Sequence, residues 1–530
     1  MKKLILILLV SSVVNSCKRE EFFNRERVPE FPWQTVTDFE MSATGAYNIA
    51  FHNGWGGGVL IYNRLMRDAH TDCGFYIGKV QDYPMREMYT RLFDQTDAIS
   101  RVTDVYSWCY DGINDINVAL DWAVLEMKEN PFPDASTSDK ELNVKRIIGE
   151  LYFMRAWFYY QLAIQFCPAP GNPEFATNKA LPWRVTIPKT SQEYMDSEYG
   201  TTQEIMNLVI SDLKKAIERL PEQYQAGMHP AYQAGRANRY AAHFLLAKTY
   251  FRMYASSDIY ADSCLQQLDM VINSGKYNLT ESPLAAFSHD DNGKGKEVIF
   301  DAIYYDQLKG AVPREACLFS KNHIYGAIDG GRGKNWNIGL WRLLSMSKWA
   351  TEYIGWSEPV TKLPTVEAKK DLRFLQLYYN LYPLSISPND TMTESVYLDL
   401  TEIYLWGDKY FRGKDGRFTN VPVYRLAEAY LTRSILRLKK GDIAGATSDV
   451  NMIRNRAGLE PVSIATEEII DQERIKEMWT EGDRLEYIQA LKMPIAPGNR
   501  VGTASIPFPY DSYKFYWKLP KDESDLNPIN

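Results

Sequence analysis

Glu473, Glu477 and Glu481 stand four residues apart, with Arg474 and Arg484 beside them, and form the most chemically suggestive cluster of this 530-residue chain. Spacing of four puts the three carboxylates on one face of a helix, where a pair about 5 to 10 Å apart could serve as acid and nucleophile or base in glycoside hydrolysis. The same pattern also builds a salt-bridged structural helix. Other catalytic patterns are missing: His52, His70, His229, His243, His289 and His323 are scattered, and no Gly-x-Ser-x-Gly elbow occurs. Trp55-Gly56-Gly57-Gly58 and Gly330-Gly331-Arg332-Gly333 lack the Lys-Ser/Thr ending of a phosphate cradle and read as flexible loops. His289-Asp290-Asp291-Asn292-Gly293 offers oxygen ligands without the alternation and distant Glu of an EF-hand, so it reads as a solvated turn. No metal, cofactor or catalytic residue is expected.

Binding chemistry is better represented. The chain has 35 Tyr and 13 Trp, many in stretches without helical periodicity. Aromatic rings stack on the flat C–H faces of sugars, and Tyr adds a hydroxyl for the sugar's own hydroxyls. Two stretches are the best candidates for such a platform. One is the loop from Thr71 to Tyr89, with Phe75, Tyr76, Tyr83 and Tyr89; the other is Tyr304 to Trp341, with Tyr304, Tyr305, Tyr325, Trp336 and Trp341. Asp72, Asp82, Arg332 and Asn335 are the polar partners expected beside them.

The elements that must position these loops are helical. From Pro422, Tyr424, Ala427, Leu431, Ile435 and Leu438 recur at helical spacing, Gly441-Asp442 breaks the pattern, and Ile443, Ala446, Val450, Ile453 and Ala457 follow up to a Gly458 cap. Ala427, Ala429, Ala444 and Ala446 would let the two backbones approach, as in tetratricopeptide pairs. Thr201 and Glu204 form a capping box opening a helix to Leu220, and Asn238 to Tyr254 pairs with Asp258 to Asn273. Asn143 to Phe166 is aromatic on several faces and should be buried on more than one side; a last helical run spans Thr466 to Leu491. The stretch from Tyr277 to Pro422 reads as irregular. An all-α scaffold, mainly residues 100–275 and 422–491, with long inserted loops over 50–95 and 277–420, is the expected fold.

Composition narrows the function further. A net charge of −7 with no basic run beyond Lys439-Lys440 gives no footprint for nucleic acid. Lys2, Lys3 and the apolar run from Leu4 to Val14 suit a signal peptide and are too short to span a bilayer. Val14-Asn15-Ser16-Cys17 resembles a lipobox, so residues 1–16 would be removed and Cys17 acylated. The other five cysteines show no metal or redox spacing, and burial is expected of them.

Several motifs, in one order along the chain, resemble the SusD/RagB family. They are Arg155-Ala156-Trp157-Phe158-Tyr159-Tyr160-Gln161-Leu162, Asp212-Leu213 with Leu220-Pro221, Gly235-Arg236, Val271-Ile272-Asn273-Ser274-Gly275-Lys276-Tyr277, Asp371-Leu372-Arg373-Phe374, Tyr424 to Ala429, Asn451 to Leu459, and Glu473-Arg474 through Glu481-Gly482-Asp483-Arg484. Leu485-Glu486-Tyr487-Ile488 departs from the family's aromatic-Asp-Leu run. The resemblance assigns the Glu473 to Arg484 motif to the scaffold, and implies binding in place of bond cleavage. It implies one SusD-like unit over 17–530, anchored by lipid in the outer membrane and facing the exterior. The two aromatic loops would come together there as a glycan-binding face, and the scaffold would dock on a SusC-like TonB-dependent barrel. A peptide-binding member of the same family is the alternative.

Overall fold

The structure is a computed structural model that describes residues 33–523 apart from 53–57, 77–87, 92–99, 191–192, 194–197, 226, 229, 288–294, 304–343, 382–402, 408, 410–419, 501–504 and 522. Helices α1 (Val36–His52), α2 (Gly58–His70), α3 (Ser100–Leu120), α4 (Lys145–Phe166), α5 (Thr202–Arg219), α6 (Arg239–Met253) and α7 (Ile259–Ile272) make up the first half. Strands β1 (Gly74–Tyr76), β2 (Val298–Ala302), β3 (Leu344–Met346), β4 (Tyr378–Leu381), β5 (Tyr404–Gly407) and β6 (Val421–Arg425), with helix α8 (Lys348–Tyr353), hold the middle. Helices α9 (Leu426–Lys439), α10 (Ile443–Arg456), α11 (Glu467–Met478) and α12 (Arg484–Ala490) close the chain. Helices pack in sequence, α3 on α4, α4 on α5, α5 on α6, α6 on α7, α7 on α9 and α9 on α10, so each covers the apolar face its neighbour exposes.

Local chemistry sets most of these boundaries. Thr201 accepts from the Glu204 amide, and the Glu204 carboxylate accepts from the Thr201 amide at 2.7 Å, which completes the capping box. Asn238 caps α6, and Gly458 at φ +75° ends α10 in the left-handed conformation that glycine tolerates best. Helix α4 is the central rod: every residue from Arg146 to Phe166 is buried, and Gly112 of α3 lets the Phe158 ring approach where a Cβ would stand 2.5 Å from it.

Four features differ from the sequence expectation. The segment from Val421 to Arg425 is a strand paired with β2, so α9 starts at Leu426 and Tyr424 belongs to the ribbon. Helical spacing was present, but the Glu297–Ala302 edge offers that backbone a ladder. Ile443 and Ala444 are exposed, and the buried face of α10 runs through Ala446, Asp449, Val450 and Ile453. The run from Thr466 to Leu491 is two helices, because Thr480 at φ +76° and Gly482 at φ +71° turn the chain. A Cβ on Gly482 would sit 2.7 Å from the Arg64 Cα, so only glycine passes there. The loop-rich region 50–95 also contains α2, whose residues are nearly all buried.

The turn after α11 carries the densest feature of the molecule, a buried charge network. Arg425 forks Glu481 with 2.9 and 2.7 Å bonds and also reaches Glu477 at 2.9 Å and Glu297 at 2.7 Å. Arg456 bridges Glu477 and Glu297, Lys409 donates to Glu481 at 2.7 Å, and Arg373 joins Glu473 to Asp371. Arg474 forks Asp483, while Glu486 binds Arg67 at 2.6 Å, Tyr160 at 2.5 Å and Lys248 at 3.4 Å. The departure at Leu485 to Ile488 is therefore a packing feature: Glu486 anchors α12 to α2, α4 and α6. Burial alone would push the Glu473 and Glu486 carboxyls up; facing cations, Arg373 first for Glu473 and Lys248 first for Glu486, outweigh it and hold both at about 2.

Those depressed values fix a sign. A carboxyl lower in the folded than in the unfolded chain stabilises the fold above its unfolded value, near 4.3, and that stabilisation is lost as pH falls toward 2. Unfolding followed by circular dichroism should therefore show stability declining between roughly pH 4.5 and 2. Arg373→Met should flatten part of this slope, because Glu473 then loses its strongest partner.

Candidate functional site

Strand β1 pairs antiparallel with β3, with Gly74 opposite Met346 and Tyr76 opposite Leu344. Tyr76 and Leu344 thus share one end of the ribbon. These are the flanks of the two aromatic stretches singled out in the sequence. Strand β5 backs the ribbon: Ser345 Oγ donates to the Leu405 carbonyl at 3.1 Å and accepts from the Leu405 amide at 3.0 Å.

At the other end of the ribbon a short helix begins. The Ser347 amide donates to the Cys73 carbonyl at 2.7 Å, and its hydroxyl donates to the Asp72 carbonyl at 2.6 Å and caps α8 by accepting from Ala350. One helical turn apart, Trp349 and Tyr353 stack with ring centres 5.0 Å apart and planes 9° from parallel. Both rings are half-buried. The Tyr353 hydroxyl donates to Asp471 at 3.0 Å, and the Trp349 amide donates to Asn499 Oδ1 at 2.8 Å.

The 496–500 turn links this pair to a second one. Phe75 and Tyr89, also half-buried, meet edge to face at 6.0 Å, and the Arg500 guanidinium lies 4.5 Å from the centre of the Tyr89 ring. Tyr353, Trp349, Asn499, Arg500, Tyr89 and Phe75 follow one another around the ribbon. Four half-buried rings, with half-buried Asn499 between the pairs, suit stacking against flat apolar faces, while Arg500, 5% exposed, is held by backbone carbonyls.

Only part of the expected site lies in this strip. Asp72 is 1% exposed, and Arg484 forks its carboxylate at 3.0 and 2.9 Å while also binding Asp471. Its oxygens are occupied, so Asp72 fixes the base of the ribbon and is corrected from ligand partner to anchor. Tyr76 is 8% exposed and packs against Tyr89 at 6.4 Å, so it has no open face; it is corrected from platform to floor. Tyr83, Tyr304, Tyr325, Trp336, Trp341, Arg332 and Asn335 lie outside the described residues, as do Tyr305, Asp82, Cys17 and the His289 turn. Trp349 and Tyr353 were missed, although their spacing of four after a Ser cap was a usable signal. Nothing in the sequence brings residues 499 and 500 beside residue 89.

The carboxylate trio behaves as scaffold. Glu473, Glu477 and Glu481 are 1%, 0% and 8% exposed and each rests on cations, and Glu481 lies in the turn after α11. Burial is outweighed by arginine and lysine charges at all three, and their carboxyls lie below the usual range. None of the three is poised as a proton donor near neutral pH. Cys73, Cys109, Cys167 and Cys264 are buried free thiols, with Cys167 pushed up to about 12 by burial. Among the described residues no group of three His, Cys, Asp or Glu could hold a metal, and no helix is long and apolar enough to cross a membrane.

Replacing Arg484 by Ala leaves Asp72 and Asp471 buried without their cation and should cost about 3 to 5 kcal/mol in urea unfolding. Trp349→Ala, at a half-buried position, should cost clearly less than the 3 to 5 kcal/mol of a core aromatic.

Comparisons with known proteins agree with this architecture. Residues 68–251 match a family model described as starch-binding and associating with the outer membrane, and residues 360–486 match that of the SusD family. The starch-binding protein SusD of Bacteroides thetaiotaomicron is 40% identical over 67 residues, which span 12% of each chain. A SusD superfamily protein from B. thetaiotaomicron superposes with a TM-score of 0.69 at 20% identity, covering 93% of this chain and 98% of its own. A putative sugar-binding protein from Bacteroides vulgatus gives 0.68 at 19% identity, covering 94% and 98%. With SusD-family models matched on both halves of the chain, the protein belongs to the SusD/RagB family.

Proposed function

We propose that this protein is a cell-surface lipoprotein, anchored through Cys17, that captures oligosaccharides or polysaccharides and passes them to a SusC-like TonB-dependent barrel in the outer membrane. The observation that carries the binding role is the strip of half-buried aromatics around the β1–β3 ribbon, Phe75 and Tyr89 on one side and Trp349 and Tyr353 on the other. A ribbon of two strands held from below by buried ion pairs is a rigid mount, and rigid aromatics lose little entropy when a sugar stacks on them. The flanks of the two loops that carry Tyr83, Tyr304, Tyr325, Trp336 and Trp341 meet at this ribbon, which supports one shared face with Arg332 and Asn335 as polar contacts. Relatives point the same way: one matched family binds starch and associates with the outer membrane, and one structural relative is a putative sugar-binding protein.

A glycan array probed with the chain lacking residues 1–16 should show bound oligosaccharides. Calorimetry with a hit should then give Phe75→Ala, Tyr89→Ala and Trp349→Ala each a loss on the order of 1 kcal/mol of affinity. Trp336→Ala should do the same. If all four variants bind like wild type, the strip is not the platform, and if peptides bind where glycans do not, the ligand class is wrong. Anchoring has its own check. Cys17→Ala should leave the protein released or as uncleaved precursor in cell fractions, because the apolar run before it is too short to hold it in a bilayer; unchanged membrane retention without lipid by mass spectrometry would contradict the lipoprotein assignment.

A further inference from the structure

Buried arginines in this molecule commonly rest on a carboxylate, as Arg67 does on Glu486, Arg155 on Asp212 and Arg484 on Asp72. Among the described residues, two beneath the aromatic strip rest on no carboxylate. Arg91 is 2% exposed and donates to the carbonyls of Ala496 at 2.7 Å and His70 at 3.4 Å, with its Nη1 buried and without a hydrogen-bond partner. Its guanidinium is walled by the rings of Phe508 and Phe515. Arg500 is 5% exposed and donates to the carbonyls of Tyr89 at 2.5 Å, Pro497 at 2.9 Å and Ala69 at 2.7 Å.

Carbonyls satisfy the hydrogen bonds of a guanidinium and leave its charge uncancelled. Asp72, the carboxylate whose field reaches both, is already forked by Arg484. Burial first, and then the charge of Arg500, lowers Arg91 to about 9, and burial brings Arg500 to about 10. His70 between them is held neutral by burial and by the same two charges. An uncompensated pair of cations in a low-dielectric pocket is costly, and its field extends toward solvent through the group that covers it. That cover is Tyr89, with Arg500 4.5 Å from its ring centre.

We propose that Arg91 and Arg500 make the Phe75–Tyr89 end of the strip selective for glycans that carry negative charge, as uronic acid carboxylates or sulfate esters. The inference rests on the glycan-binding reading. A charged sugar stacked at Tyr89 supplies the anion that the pocket lacks, whereas a neutral sugar leaves the two cations as they are. Selectivity is then electrostatic, and it weakens with salt.

The test is calorimetry of the wild-type protein lacking residues 1–16 against a galacturonic acid tetramer, a sulfated galactan tetramer and a neutral galactose tetramer, at low and high salt. At least one charged tetramer should bind tenfold or more tighter than the neutral one, and the advantage should shrink as salt rises. The two charged arms separate carboxylate from sulfate. Arg500→Gln and Arg91→Gln should each remove most of the advantage, while Lys370→Gln at an exposed position should keep it. A neutral tetramer that binds as tightly as both charged ones overturns the inference and leaves glycan binding intact. An advantage that persists in both arginine variants also overturns it. If either variant fails to fold, the wild-type ratio of charged to neutral affinity decides by itself. Absence of any hit on the full glycan array would overturn the glycan reading, and this inference with it.

Discussion

The Arg425 guanidinium is the interaction on which the rest of the structure hangs. It sits at the end of β6 with no measurable exposure and touches Glu297, Glu477 and Glu481 at once. Those three carboxylates come from the edge of β2, the end of α11 and the turn beyond it. One side chain therefore ties the strand ribbon of the middle region to the last helices. A buried ion pair of this kind contributes little net stability against an apolar replacement, but losing one partner strands a charge in low dielectric. The network thus specifies an arrangement more than it strengthens one: β6 pairs with β2 and the chain turns at Gly482, because other packings would leave carboxylates buried alone.

The aromatic strip inherits its position from that turn. Gly482 donates its amide to Asp68 at the end of α2, and two residues later Arg484 forks Asp72 just before β1. Asp72 in turn gives its carbonyl to Ser347, which starts α8 and with it the Trp349–Tyr353 stack. The scaffold motif and the aromatics are thus linked through a short chain of hydrogen bonds. Gly482 and Arg484, at the end of the motif that first suggested catalysis, make those links. Charge is spent on geometry here, and Arg91 and Arg500, whose hydrogen bonds go to carbonyls, are the buried arginines nearest the strip.

Much of the scaffold was legible in advance. The Thr201 capping box, the Asn238 cap, the Gly458 terminator and the all-round burial of α4 follow from local chemistry that needs no partner to be read. The exchange of helix for strand at Val421–Arg425 was not legible, because a segment this short satisfies either period and only the backbone of β2 decides. The break at Thr480 to Gly482 was hidden for a related reason: glutamates at 477 and 481 keep helical spacing, yet both serve Arg425 from across a turn. In the strip, Phe75 and Tyr89 lay inside the loop singled out, whereas Tyr76 and Asp72 beside them proved to be floor and anchor. Alternation along a short strand sends neighbours to opposite sides, and composition does not say which side is open.

By itself the sequence determined the family, the run of amphipathic helices, the caps that bound them and the abundance of aromatic side chains between them. All of these are properties of residues within a turn or two of one another, or of motifs preserved in order. Tertiary structure alone decided which charges meet and which rings remain open. Arg484 reaches Asp72 across 412 positions, and Arg500 reaches Tyr89 across 411. Contacts at that separation are set by how the helices stack and where the ribbon closes, and a residue's type carries no record of the neighbour that folding will bring to it.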